Sequence, residues 1–553
     1  MPRRRTVSGV PSDLATIARD VGSLLAMQAG LMGLSVVVAF AFREWYAAGT
    51  FALAGLLTAG VGLGARRGFA DAPDPVMKHG MIIAAGGWFA TAVFGSLPFL
   101  LTAHLTPPAA AAGFVPAGAE YASSLRYFRD PLHALFESMS GWTGSGLTMA
   151  VHEPSLPRTL QWWRSLIQWV GGVGVIVLTV SILARPGSGS YALYRSEARE
   201  EKIHPSVVST VHTVWRIFLL YTVVAVVALF AAIHTSDYGA TLPLWEQGWQ
   251  ALNHAMTGLS TGGFSVTDDS IATYGSPLVE GVLLPVMALG AIAFPVHYAV
   301  LYDRNVRELV SDLQTRWLFV LFAAGVVVLS VQNAATVDVA TDAFATGTDW
   351  LGLSAVGFSN AQTDALRDST FQFVSALSCT GFQSAPIGRW TAGGKLVVSG
   401  AMVVGGAAGS TVGGIKIIRA YTIGRGIRWQ FSRVFLPATA VISVEMGGRR
   451  LDRETMEREF SEASIVSLLW LGLLAVSSLV VVNVAGPSFT YADALFEVAS
   501  AQGNVGLSTG ITGPTMSPLI EAMFVLNMWI GRLEIIPVLA FVRSMLYGLE
   551  PRL

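Results

Sequence analysis

The chain has 553 residues, of which 52% are hydrophobic and only 13% charged. This balance excludes an ordinary water-soluble globular domain and points to an all-α integral membrane protein. A net charge of −1 says little by itself, and the only cysteine, Cys379, excludes an intramolecular disulfide.

In chain order, Arg3, Arg4 and Arg5 precede an apolar stretch from about Val21 to Phe42, then Arg43 and Glu44. A second stretch runs from about Ala47 to Gly64, followed by Arg66 and Arg67. No small-residue cleavage site is evident, so the first segment reads as an uncleaved helix. Further apolar segments lie near 79–104, 160–184, 211–233, 276–302, 315–331, 395–420, 464–485 and 515–547. At ~20 residues per crossing this predicts about ten spans.

Four shorter stretches, Pro131–Trp142, Trp245–Ser260, Asp368–Ser378 and Asp493–Gln502, are too short to cross. Each stops at a glycine followed by a large apolar residue: Gly146-Leu147, Gly263-Phe264, Gly381-Phe382 and Gly506-Leu507. These glycines recur at intervals close to 120 residues. Ten positions upstream stand Phe136, Asn253, Phe371 and Phe496, and next to them Glu137, His254, Gln372 and Glu497. The pattern predicts a helix pair in 1–70 and four parallel helix–pore-loop–helix repeats. They occupy 71–190, 191–305, 306–430 and 431–553.

A cation crossing a bilayer must exchange its hydration shell for other oxygens, and backbone carbonyls supply them in potassium filters. Glycine permits the non-helical backbone and close approach that this requires. The candidate filter is therefore Thr143, Ser145 and Gly146; Thr261, Gly262 and Gly263; Cys379, Thr380 and Gly381; and Asn504, Val505 and Gly506. The partial negative charge at the carbonyl end of each half-helix would favour a cation. Small residues also allow tight helix packing, but that leaves the matching register of four loops unexplained.

Basic residues fall on one side: Arg3–Arg5, Arg66, Arg67, the 185–216 loop with Arg185, Arg195, Arg199 and Lys202, Arg304 and Arg307. Arg419, Arg425, Arg428, Arg433, Arg449, Arg450 and Arg453 join them. That side is expected to be cytoplasmic, with both termini there. The polar segment 421–460 reads as a solvated loop or as a docking surface for a cytosolic partner. Val444 and Met446 lie in a possible short hairpin strand within it.

These residues resemble the Trk/Ktr/HKT potassium transporter superfamily, most closely its TrkH/TrkG type. Beside the loops, the resemblance rests on Trp163–Gly174, Asn253–Met256, Gly409–Lys416 and Gly531–Glu534. The first loop differs, carrying Gly144 where the family usually has threonine. The resemblance implies bacterial inner-membrane potassium uptake, a homodimer, and control by a cytosolic TrkA-like nucleotide-binding subunit. It implies potassium as the transported ion and no organic cofactor. It also implies an intramembrane gate at Gly405, Gly406, Gly409, Ser410, Thr411, Gly413 and Gly414, with Lys416 nearby. Five glycines within ten residues argue independently against a continuous helix there. Arg532 lies deep in an apolar run, where a charge marks function by default; it is expected to bond the gate carbonyls, to repel cations, or to pair with Glu534 or Glu521.

No nucleotide-binding loop, HExxH or metal-ligand cluster suggests an enzyme, and no nucleic-acid partner is expected. Gly187-Ser188-Gly189 lacks the strand and helix of a dinucleotide site. Proton- or sodium-coupled symport, or poor discrimination between potassium and sodium, are the alternatives to channel-like uptake.

Overall fold

The computed structural model describes residues 6–7, 10–183, 207–339, 344, 353–435, 444–446, 449–451 and 453–549. Arg3–Arg5, Arg185, Gly187–Gly189, Arg195, Arg199 and Lys202 lie outside them.

Helix α1 (Ser12–Ala41) folds back on α2 (Trp45–Gly68) through a turn in which Arg43 takes φ 58°. The two backbones nearly touch: a Cβ on Gly22 would stand 2.7 Å from the Gly62 carbonyl oxygen. Small residues give such close contact where lipid supplies no hydrophobic drive between helices. Helices α3 (Met77–Gly95) and α4 (Leu97–Leu105) make one continuous apolar run.

Four units follow. The first is α5 (Pro131–Thr143) and α6 (Arg158–Leu183); the second is α7 (Val207–His234), α8 (Leu244–Leu259), α9 (Pro277–Ala291) and α10 (Phe294–Leu301). The third is α11 (Leu313–Ala334), α12 (Asn360–Leu377), α13 (Ala392–Val403) and α14 (Ile417–Val434). The fourth is α15 (Arg453–Val484), α16 (Tyr491–Gly503), α17 (Pro518–Leu533) and α18 (Ile535–Tyr547). The short helices α5, α8, α12 and α16 end at the four loops. Phe136, Phe371 and Phe496 anchor three of them in the core, each at most 1% exposed.

Three expectations need correction. The run 276–302 is two helices bent by 109°, and 515–547 is two bent by 116°. Among the described residues six helices are long and apolar enough to cross, or eight if each bent pair counts as one span. Secondly, α12 starts at Asn360, eight residues before the apolar stretch suggested. Its polar first half carries no hydropathy signal, yet Ser359 and Gln362 close a capping box that starts it. Thirdly, 421–460 is not one loop: α14 runs to Val434 and α15 begins at Arg453. Between them β1 (Val444–Met446) and β2 (Arg449–Leu451) pair as an antiparallel hairpin.

Candidate functional site

Each of the four short helices ends in the same backbone device. The residue two before the loop glycine is left-handed: Gly144 at φ 67°, Thr261 at 52°, Cys379 at 52° and Asn504 at 56°. The next residue donates its N–H five positions back: Ser145 to Ser140 O, Gly262 to Thr257 O, Thr380 to Ser375 O and Val505 to Ser500 O, at 2.8–2.9 Å. This is a Schellman-type helix end. Gly146, Gly263, Gly381 and Gly506 are left-handed again, at φ 78°, 75°, 81° and 103°. Three non-glycine residues held left-handed cost ~1–2 kcal/mol each, so the surrounding packing must impose the conformation. Gly144 in the first loop thus fills a left-handed position that suits glycine best.

The loops meet in a closed cycle. A Cβ on Gly146 would stand 2.3 Å from Gly262 O, and on Gly263 2.0 Å from Thr380 O. On Gly381 it would stand 1.8 Å from Val505 O, and on Gly506 2.5 Å from Ser145 O, returning to the first loop. Each glycine therefore lies against the carbonyl that precedes the glycine of the next loop, and no side chain fits between. Leu147, Phe264, Phe382 and Leu507 are buried behind the cycle.

Polar side chains hold this arrangement from outside. Glu137 accepts from Thr148 Oγ1 (2.9 Å), Met149 N (2.8 Å) and Arg164 Nε (2.7 Å). The repeat-equivalent His254 bonds Ser265 Oγ at 2.9 Å, and Gln372 donates to Ser384 Oγ at 3.1 Å. Glu497 accepts from Ser508 Oγ (2.6 Å), Thr509 N (2.7 Å) and Thr512 Oγ1 (2.7 Å). The column that marked the repeats in the sequence ties each loop back to its own helix. Reasoning from sequence missed Gln168, whose amide donates to Gly262 O (2.7 Å) and accepts from Phe264 N (3.0 Å). It also missed the bond from Asn504 Nδ2 to Ser145 Oγ (2.7 Å), which joins the fourth loop to the first. Their contacts span 94 and 359 residues, so no local signal pointed to them.

Arg164 is 1% exposed and Glu137 fully buried, so the pair is a desolvated one. Arg164 also donates to Ser265 O at 2.7 Å. Arg164→Leu strands a buried carboxylate, which costs about 3–5 kcal/mol. The thermal midpoint of the purified protein should fall markedly, and adding Glu137→Gln should recover part of the loss. An unchanged midpoint in Arg164→Leu would refute this assignment.

Beneath the cycle, 404–416 leaves the helical path between α13 and α14. It is pinned to the bend between α9 and α10: Ala407 N donates to Ala291 O (3.2 Å), Thr411 N to Gly290 O (3.2 Å), and Gly409 O accepts from Phe294 N (3.1 Å). Gly405 N and Ile415 O close its neck at 2.9 Å. Thr411 Oγ1 reaches Thr261 Oγ1 at 2.9 Å. A Cβ on Gly413 would stand 2.4 Å from Gly503 O. Gly406, Ser410 and Gly414 lie in the same turn, and Lys416 Nζ donates back to Val412 O.

Arg532, 5% exposed, donates Nη1 to Thr411 O and Nη2 to Gly171 O (3.1 Å) and Gly172 O (3.2 Å). It does not pair with either carboxylate named from the sequence. Glu534 accepts from Arg419 at 2.8 Å, and Glu521 bonds His133 at 2.7 Å. One guanidinium thus joins the fourth unit to the third and the first directly under the loops. On the opposite side a cavity of about 600 Å³ opens, lined by Gly146, Gly263, Gly381 and Gly506. The four loops thus border the cavity, and the 404–416 segment meets them through Thr411 and Gly413.

The family model described as a cation transport protein, TrkH, matches residues 79–547. The chain is similar to an uncharacterised cation transporter of Methanocaldococcus jannaschii, at 28% identity over 85% of this chain and 83% of that protein. It is 30% identical to the Trk system potassium uptake protein TrkI of Halomonas elongata, over 75% of this chain and 77% of that one. Identity to the Trk system potassium uptake protein TrkH of Escherichia coli K12 is 28%, over 73% and 77%. The crystal structure of the potassium transporter TrkH from Vibrio parahaemolyticus has the same fold. It matches with a TM-score of 0.75 over 97% of this chain and 99% of that one, at 22% identity.

Proposed function

The chain belongs to the TrkH cation transport family, and from that premise we propose that it takes up potassium through the ring of its four loops. The observation that carries this reading is the closed cycle in which each loop glycine abuts a carbonyl of the next loop. A ring of close-packed backbone oxygens is what can replace an ion's hydration shell, and the relatives named as potassium uptake proteins support potassium as cargo. In this reading the repeats 71–190, 191–305, 306–430 and 431–553 each supply one loop to the filter.

The 405–414 segment, with Lys416 and Arg532, is the gate. It is fixed by hydrogen bonds rather than by a helix, so it can be released without breaking a span. Deleting Gly406–Thr411 should raise basal flux while leaving ion preference intact; a folded deletion that conducts no more than the parent would refute the gate. Arg66, Arg67, Arg304, Arg307, Arg425 and Arg428 mark the cytoplasmic end by the positive-inside rule. Both termini then lie in the cytoplasm of a bacterial inner membrane, and the 600 Å³ cavity opens outward. The partners of this reading are a second copy of the chain and a TrkA-like nucleotide-binding subunit, docked at the basic end formed by α14 and the hairpin.

The test is potassium-limited growth of a transport-deficient bacterium carrying this chain, with rubidium and sodium flux into liposomes holding the purified protein. Rescue with rubidium favoured over sodium is expected. Equal rubidium and sodium fluxes would overturn the potassium assignment. Flux that follows an imposed proton gradient would assign coupled symport instead of channel-like flow.

A further inference from the structure

The acidic side chains of the cavity above the ring lie on one side only. The wall following the first and second loops carries Glu153, Asp268 and Asp269, whereas the wall following the third carries Arg389 and that following the fourth carries Thr512, Gly513 and Pro514. Asp268 is held in place: Tyr121 Oη lies 3.4 Å from its Oδ2 and His152 Nδ1 3.4 Å from its Oδ1. The Tyr121 and His152 rings stack at 3.7 Å. Glu153 is different. It is 7% exposed, and its Oε2 has no hydrogen-bond partner among the described residues. Leaving a buried carboxylate oxygen without a donor is expensive. Arg164, the cation acting on it, directs its donors at Glu137, Ser265 O and Thr148 Oγ1. No described protein donor completes this site.

We propose that Glu153, with Asp268 on the same wall, forms an antechamber site that takes a partly hydrated monovalent cation ahead of the ring, in competition with a proton. The inference rests on the reading of the four loops as the transport path. Burial pushes the Glu153 carboxyl up to about 8, against the opposing pull of Arg164 and with the help of Asp268 and Glu137. Burial also raises Asp268, which His152 pulls down and Asp269 pushes up. The cations lining the cavity are Arg164 and Arg389. At neutral pH the unpartnered oxygen therefore carries a proton. An arriving cation takes its place, the carboxylate is left paired with the cation, and the proton leaves to the chamber water. The asymmetry gives the chamber one collecting wall and leaves the route past the fourth loop free of acid.

The test is rubidium uptake by liposomes containing the full chain, with pH buffered to the same value on both sides. A proton competing at a group near 8 should lower the apparent KM for rubidium about tenfold between pH 7 and pH 9. In Glu153→Gln the KM at pH 9 should rise at least to the parent's pH 7 value and then stay flat with pH. Glu153→Asp should restore the slope. Asp268→Asn should raise KM but keep the slope. A parent KM that does not move with pH, or a Glu153→Gln protein that keeps the parent slope, overturns the site. Gly381→Ser, assayed alongside, separates this from the ring: if Gly381→Ser loses ion preference while Glu153→Gln keeps its slope, only the antechamber falls.

Discussion

Gly381→Ser should erase most of the preference for potassium over sodium. Gly381 sits at φ 81°, and a Cβ there would stand 1.8 Å from Val505 O and 2.9 Å from Gly506 Cα. The left-handed backbone alone costs an L-residue ~1–2 kcal/mol. The clash is with backbone rather than with a flexible side chain, so the third and fourth loops must move apart. Each ~1.4 kcal/mol of lost discrimination is a factor of ten, so the rubidium-to-sodium flux ratio should drop by about tenfold or more. Gly263→Ser should behave alike, because its Cβ meets Thr380 O at 2.0 Å. Gly281→Ser, on α9 with nothing within 4 Å of its Cβ, is the control expected to keep the ratio. Unchanged ratios in both loop variants would refute the filter.

Arg532→Ala should increase flux. The guanidinium is buried and bridges Thr411 O to Gly171 O and Gly172 O. Hydrogen bonds from a charged donor contribute ~1.5–3 kcal/mol each, so losing them frees the 405–414 segment. The same substitution removes a positive charge whose Nη1 lies 3.8 Å from where a Gly144 Cβ would be. A unit charge at ~4 Å is worth ~4 kcal/mol in an effective dielectric near 20, enough to oppose a passing cation. Arg532→Lys keeps the charge but not the planar fork that reaches three carbonyls, so an intermediate flux is expected. Initial rubidium flux per folded protein is the measurement. A folded Arg532→Ala protein at or below parent flux would reduce Arg532 to a structural tie between units.

The loops were legible in the sequence because their requirement is local. A left-handed backbone and a close approach select glycine wherever they occur, and four copies at one interval repeat the signal. The large apolar residue after each glycine, the helix that stops before it and the glycine-rich break at 405–414 are equally local features. Hydropathy, by contrast, is a sum over length and carries no direction. It could not reveal that 276–302 and 515–547 bend by 109° and 116°, nor that the polar start of α12 is helical. Partners were least legible of all. Arg532 was expected to bond the gate carbonyls or to pair with Glu534 or Glu521; it reaches Thr411 of the gate segment and also Gly171 and Gly172, while Arg419 takes Glu534. The left-handed Glu534, at φ 65°, turns the chain between α17 and α18. The order of the ring, the clamp of Gln168 on Gly262 and the open oxygen of Glu153 likewise follow from contacts across about a hundred residues or more, or from the lack of any. The sequence alone determined where the backbone must leave the helix, because that depends on a few neighbouring residues. The tertiary structure alone decided which groups face one another there, because burial makes a charge seek whatever carbonyl or carboxylate the packing brings within reach.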